Sequence, residues 1–498
     1  MGAECRDGKA LKRRDLAVWV RAPGVRAFIV PRPPEAAKGA GSKTALREGR
    51  QGVGDVKSEV EQRQVSEVPE RAMQGTEARQ WWWAEASIWT ERMVSALVNG
   101  VKGGKWFSLV DKVIRPVTLE AAWRKVARNQ GAAGVDGQSI ERFSAQAERY
   151  LHELHEQLKT GSYRPSPVKR VEIPKGDGRM RPLGIPTVKD RIVQTALKMA
   201  IEPIFEVQFR PGSYGFRPGR SCKDALREVD RLLKEGFTFV VDADLRGYFD
   251  SIPHDRLMAL VAGSISDGPV LSLIDGFLRQ EIMTEMARWQ PTTGTPQGAV
   301  LSPLLSNLYL HPLDVLMERR GWRMVRYADD FVILCRNEAE ALSALRDIEA
   351  WTAANGLTLH PDKTRLGDCR QPGQGFEFLG YRFEAGRRLV REQSLKAVKD
   401  KVRARTIRSR GDSLGRIIDD LNPTLRGWFG YFKHATPAVF ERLDGFVRRR
   451  LRAILRKQEK RPGSGRCEAD HQRWPNAFFA TQRLFTLRTA YAQARHSR

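Results

Sequence analysis

The sequence predicts an α+β fold divided into several subdomains. At 498 residues the chain is too long for one hydrophobic core. Short runs of β-branched and aromatic residues bounded by turn residues recur at 163–186, 237–252, 323–335 and 376–383, and they read as strands. Long segments with helical apolar periodicity lie between and after them, at 190–209, 338–355 and 393–460.

Bulk composition narrows the partners. Lys and Arg outnumber Asp and Glu 85 to 59, a formal charge of +26. Such an excess suits a polyanion, nucleic acid before an acidic membrane surface. No apolar run is long enough to span a bilayer, and LAVWV near the start meets Arg21 at once, against a signal peptide. The five cysteines are scattered and form no CxxC pair, against a zinc ribbon or a disulfide framework. A reducing, cytoplasmic setting is expected.

Residues 1–80 are rich in Arg, Lys, Ala, Gly, Glu and Gln with little periodicity, and are expected to form a disordered basic extension. Trp81 to Val110 is aromatic-rich and reads as helical, as do 119–129 and Phe143 to Leu158. Residues 163–186 read as two strands around a Lys-Gly-Asp-Gly turn. Lys175 and Arg181 flank that turn, and paired basic groups on a hairpin match a triphosphate, though a solvated basic loop has the same composition. The helix 190–209 leads to SYGFRPGRS, where glycines beside Tyr214, Phe216, Arg217 and Arg220 allow close approach to bases and phosphates; core packing competes for the rings.

FTFVVDADLRGYFDSI (237–252) alternates. Phe239, Val241, Ala243 and Leu245 face a core, and Asp242 and Asp244 share the other face. The turn GTPQG (294–298) leads into a helix expected from Ser302 to Leu310, with Ser302 as its cap. RMVRYADDFVILC (323–335) reads as two strands with Asp329 and Asp330 where the chain turns. Two adjacent carboxylates in an apolar hairpin are costly unless cations neutralise them, and an all-oxygen site suits magnesium. Alone, YADD also fits an ordinary solvated turn. FEFLGYRF (376–383) reads as one strand. LRGWFGYFKHA (425–435) and the Arg-rich stretch 446–461 interleave aromatic and basic residues on helices, a pattern suited to a duplex or folded RNA.

Taken in order, RPLGIP, SYGFRPGRS, DADLRGYFD, GTPQGAVLSPLLSN, YADD, a Lys-Thr pair and FLGY resemble group II intron reverse transcriptases, intron-encoded proteins that also act as maturases. The resemblance implies a right-hand polymerase of fingers (with the N-terminal region, 81–235), an antiparallel-sheet palm (236–386), a helical thumb (387–465) and a short nucleic-acid-binding tail (466–498). It implies that Asp244, Asp329 and Asp330 hold two Mg²⁺ ions. Asp242 is expected to lie behind them. The resemblance also implies that Lys175, Arg181, Phe249, Gln297 and Lys363 contact the dNTP, Phe249 by excluding a ribose 2′-hydroxyl. Arg217, Arg220, Arg426, Trp428, Tyr431, Lys433, Arg448, Arg449 and Arg452 are expected to bind nucleic acid. The partners implied are group II intron RNA, an RNA template with a DNA primer, dNTPs and target DNA, in a bacterial cytoplasm. An endonuclease domain is not expected, since only Cys467 lies beyond residue 370. A splicing maturase without polymerase activity and a domesticated defence-type reverse transcriptase are the alternatives.

Overall fold

A computed structural model describes residues 81–101, 103–174, 180–463, 465 and 467–496. The expected basic extension over 1–80 and the expected triphosphate contact Lys175 lie outside the described residues. The strands run β1 (Val168–Pro174), β2 (Met180–Ile185), β3 (Phe239–Asp244), β4 (Ile282–Met283), β5 (Arg288–Trp289) and β6 (Arg323–Tyr327). They continue as β7 (Asp330–Cys335), β8 (Arg365–Asp368), β9 (Phe376–Phe378), β10 (Tyr381–Glu384) and β11 (Arg387–Val390).

Among the described residues three sheets result, ordered β2-β1-β4-β5, β6-β7-β3-β8 and β11-β10-β9. The central one is antiparallel throughout. On one face, Val241, Ala243, Phe331 and Ile333 join a large core with helices Val188–Glu206, Ser302–Arg320 and Glu338–Ala354. On the other, Val240, Val332 and Leu334 pack under helix Cys222–Lys234, the β9–β10 hairpin and helix Leu414–Phe432. β3 is therefore apolar on both faces at its start, with Val240 and Val241 buried, and Asp242 and Asp244 are half-buried toward its end. A third core joins the helices Glu392–Arg405, Leu414–Phe432 and Ala438–Gln458 to Trp474 and Phe479 of the terminal segment. This mixture of helices and mainly antiparallel sheets agrees with the α+β fold expected from the sequence. No helix among the described residues is long and apolar enough to cross a membrane.

Several local expectations are corrected. Of Trp81 to Val110, the main helix is Glu91–Asn99, capped by the Thr90 side chain; Trp81 and Trp89 are buried in the irregular segment before it. The 143–158 helix is broken into Ile140–Ser144 and Ala147–Lys159. The helix at Ser302 runs on to Arg320 through Pro312, because the buried Leu313, Asp314 and Met317 hold its second half. Ser302 does not cap it; its hydroxyl donates to Pro296 O at 2.8 Å. The 376–383 stretch is a hairpin, turned at Leu379 and Gly380 with φ of 48° and 82°, the left-handed pair that a two-residue turn needs.

Candidate active site

Strand pairing brings the acidic groups together. In the β3–β7 register Asp244 lies opposite Asp330, and Asp242 opposite Val332. Tyr327 pairs with Asp330 across β6 and β7, so Ala328 and Asp329 form the turn between them. Ala328 takes φ of 60°, a left-handed conformation that costs a residue with a Cβ about 1 kcal/mol or more unless its surroundings enforce it.

Those surroundings are specific. Arg326, wholly buried, donates to Ala328 O at 2.8 Å and to Asn307 Oδ1 at 2.9 Å, and pairs through two nitrogens with Asp314 at 2.5 and 2.7 Å. Asn307 in turn donates to Gly215 O at 2.7 Å. A Cβ on Gly215 would collide with the backbone nitrogen of Ala328. The glycine of SYGF thus lets its loop lie directly against the acidic turn.

The carboxylates feel burial and one another. Burial, and then the charges of Asp242, Asp329 and Asp244, push Asp330 up to about 8. Burial pushes Asp242 up to about 7, with Asp244 adding to the rise. Burial also raises Asp329. Lys363 Nζ sits 2.5 Å from Asp244 Oδ2, and its loop is tied down by the His360 amide donating to Asp244 O at 2.7 Å. As placed, no three His, Cys, Asp or Glu side chains among the described residues converge to grip one ion. The donor set still fits a hard divalent cation, being oxygen-only and mutually repelling.

The other residues expected at the nucleotide stand on neighbouring elements. Arg181 stands on β2 opposite Ile173, half exposed. Phe249 is half-buried in the short helix Tyr248–Ser251, its ring against Tyr248. Gln297 O accepts from Gly184 N at 2.6 Å, which docks the GTPQG turn on β2.

The nucleic-acid set divides. Arg426 is exposed, and Lys433, Arg448 and Arg449 are half-buried, the last two lining a cavity of about 250 Å³ with His471. Arg220 is half-buried over the Tyr214 ring. Four others serve the fold. Arg217 is buried, paired with Glu206 at 2.7 Å and donating to Arg210 O and Ser213 O. Arg452 is buried against Trp474 O and Asn476 Oδ1. Tyr431 donates to Leu379 O, and Trp428 packs on Phe432 and Phe440. Helix Val188–Glu206 and its following loop take up Arg217, the FLGY hairpin takes up Tyr431, and the terminal segment takes up Arg452.

Residues 173–383 match the family "Reverse transcriptase (RNA-dependent DNA polymerase)", and residues 395–474 match "Group II intron, maturase-specific domain". Protein YkfC of Escherichia coli is 34% identical over 328 residues, 57% of this chain and 84% of that one. The group II intron-encoded protein LtrA of Lactococcus lactis is 38% identical over 205 residues, 41% of this chain and 34% of LtrA, so the match spans about a third of that relative. A solved partial Cas6-RT-Cas1–Cas2 complex is 26% identical over 49% of this chain and 41% of its own, with a TM-score of 0.32.

Proposed function

The chain belongs to the family of group II intron-encoded reverse transcriptases and maturases, and on that premise we propose that it is an RNA-directed DNA polymerase that also binds its intron RNA and assists splicing. The observation that carries the polymerase is the register that sets Asp244 opposite Asp330, beside Asp329, with Asp242 and Asp244 half-buried at the end of β3. Asp244, Asp329 and Asp330 would hold two Mg²⁺ ions. When bound, these ions make the primer 3′-hydroxyl more acidic and neutralise the leaving pyrophosphate. The chain's own residues do the positioning on which in-line phosphoryl transfer depends. Arg181 grips the triphosphate, with Lys175 beyond the described residues as its partner. Gln297 lies under the incoming nucleotide, and the Phe249 ring offers only apolar surface to the sugar. Lys363, once off Asp244, stands ready for the pyrophosphate. Arg426, Lys433, Arg448 and Arg449 hold the nucleic-acid backbone on the helical side.

Primer extension on an RNA template with Mg²⁺ tests this reading. Wild type should extend and Asp329→Asn should not; a wild type without extension refutes it. A splicing maturase without polymerase activity is the second reading. That reading requires splicing assistance at low Mg²⁺ that survives Asp244→Ala while wild type extends nothing.

A further inference from the structure

The GTPQG turn is fastened to the Phe249 helix by a group that the chemistry above does not use. His254, 2% exposed, begins the helix His254–Ser264 and lies with Nε2 2.7 Å from Gly294 O. Around that bond the two segments are stitched together. Gly294 N donates to Ile252 O and Thr295 N to Phe249 O, each at 2.7 Å. Thr293 Oγ1 donates to Asp250 O at 3.1 Å. The approach is so close that a Cβ on Gly294 would lie 2.9 Å from Asp250 Cα. Further along, Gln194 Oε1 accepts from Val300 N at 2.8 Å, fixing the far end of the loop on another helix.

A buried imidazole is most often placed for packing alone, and packing would need no donor. Here the ring nitrogen meets a backbone carbonyl in the turn that carries Gln297, three residues on. With Nε2 as the donor, the bond fixes the Gln297 turn relative to the backbone that carries the Phe249 ring. We propose that His254 is a positioning residue for sugar discrimination: it holds the Gln297 turn and the Phe249 ring at one spacing, so that a nucleotide seated on the turn meets the ring at its sugar. The inference rests on the polymerase reading and adds to it the residue that makes two nucleotide contacts a rigid unit. Release of the bond lets the turn drift from the ring, and a ribose 2′-hydroxyl then finds room.

The test compares kcat/KM for a dNTP and the matching rNTP in primer extension, with thermal melting alongside. His254→Phe keeps a ring and removes the donor; His254→Gln returns an N–H near Nε2; Thr293→Val removes only the lateral bond and keeps the fold safe, since Thr293 is exposed. Discrimination against the rNTP should fall roughly fivefold in His254→Phe, in keeping with one lost hydrogen bond, and by a smaller factor in Thr293→Val. It should recover in His254→Gln. A residue that served packing alone would lower the melting temperature of His254→Phe and leave the ratio untouched. An unchanged ratio in His254→Phe, in a wild type that extends primers, overturns the inference and leaves the polymerase standing. A wild type that extends nothing overturns both.

Discussion

The ammonium of Lys363 lies 2.5 Å from Asp244 Oδ2, so a side chain of the protein already neutralises one of the three carboxylates assigned to metal. The pair is exposed, 49% on the lysine and 38% on the aspartate, and is therefore weak, worth less than about 1 kcal/mol. A divalent ion at Asp244 must displace the lysine or share the carboxylate with it. Lys363→Met removes this competitor. The Mg²⁺ concentration for half-maximal extension should fall by a small factor, about twofold to fivefold. The maximal rate should fall as well if the freed lysine serves the pyrophosphate. A Mg²⁺ midpoint that stays put would show that the pair does not compete.

Catalysis and stability should part company at Asp330. Burial and three neighbouring carboxylates push its carboxyl up to about 8, so its charged form is disfavoured in the metal-free fold. Asp330→Asn should abolish extension. The same change should raise metal-free stability at pH 8 by about 1–2 kcal/mol, because the buried charge and its repulsion are gone. Chemical denaturation with and without Mg²⁺ checks it: added Mg²⁺ should stabilise wild type and do little for the variant.

The acidic turn depends on a residue that touches no nucleotide. Arg326 is wholly buried, and its loss strands Asp314 as an unpaired buried charge, a cost of about 3–5 kcal/mol. Arg326→Met should therefore unfold readily. Arg326→Met with Asp314→Leu should recover much of the stability, since an apolar pair replaces a salt bridge. It should not recover extension, because Ala328 O and Asn307 Oδ1 still lack their donor. Equal recovery of both would show that Arg326 serves stability alone.

Asp329 and Asp330 were legible because adjacent acids inside an apolar run are costly and need a reason. Asp244 was legible because strand alternation fixes its face, and the register then sets it opposite Asp330. Arg326 was not, since a strand arginine reads as solvated, and its partners Asn307 and Asp314 lie on a helix whose extent Pro312 concealed. Their spacing of seven, one face of a helix, was the available signal. Trp428, Tyr431, Arg217 and Arg452 misled for the opposite reason. Aromatic and basic residues interleaved on a helix or in a loop look alike whether they meet RNA or a neighbouring element, and only the tertiary cover supplied by Leu379, Glu206 and Trp474 separates the cases.

Asp190 gives the fold a pH dependence of its own. It accepts from Tyr163 Oη at 2.5 Å, Ser166 N at 3.2 Å and Gln280 Nε2 at 3.2 Å, joining helix Val188–Glu206 to the base of the β1–β2 hairpin. Burial is the largest influence on its carboxyl and raises it. A raised acid holds more protons folded than unfolded between the two values. Its contribution is then full below the ordinary carboxylate range and declines as pH climbs through the raised value. Asp190→Asn should flatten that decline while lowering stability overall by loosening the network. Urea unfolding midpoints across pH 4 to 8, compared between wild type and variant, measure the difference.

The arginines of helix Ala438–Gln458 should separate into two kinds by salt and by melting. Arg449 is half-buried over Phe446 and beside the small basic cavity, with no acidic partner within ion-pair range among the described residues, whereas Arg452 donates to Trp474 O and Asn476 Oδ1 from the interior. Arg449→Ala should weaken binding to an intron-like RNA and reduce the slope of log affinity against log salt by about 1, the mark of one lost phosphate contact, with melting unchanged. Arg452→Ala should do the reverse at first order: it loosens the terminal helices and lowers the melting temperature, since buried acceptors lose their donor. RNA affinity in Arg452→Ala should drop only to the extent that the terminal segment comes away. If instead the Arg452 variant lost affinity with its melting intact, the buried arginine would belong with the RNA-contacting set after all.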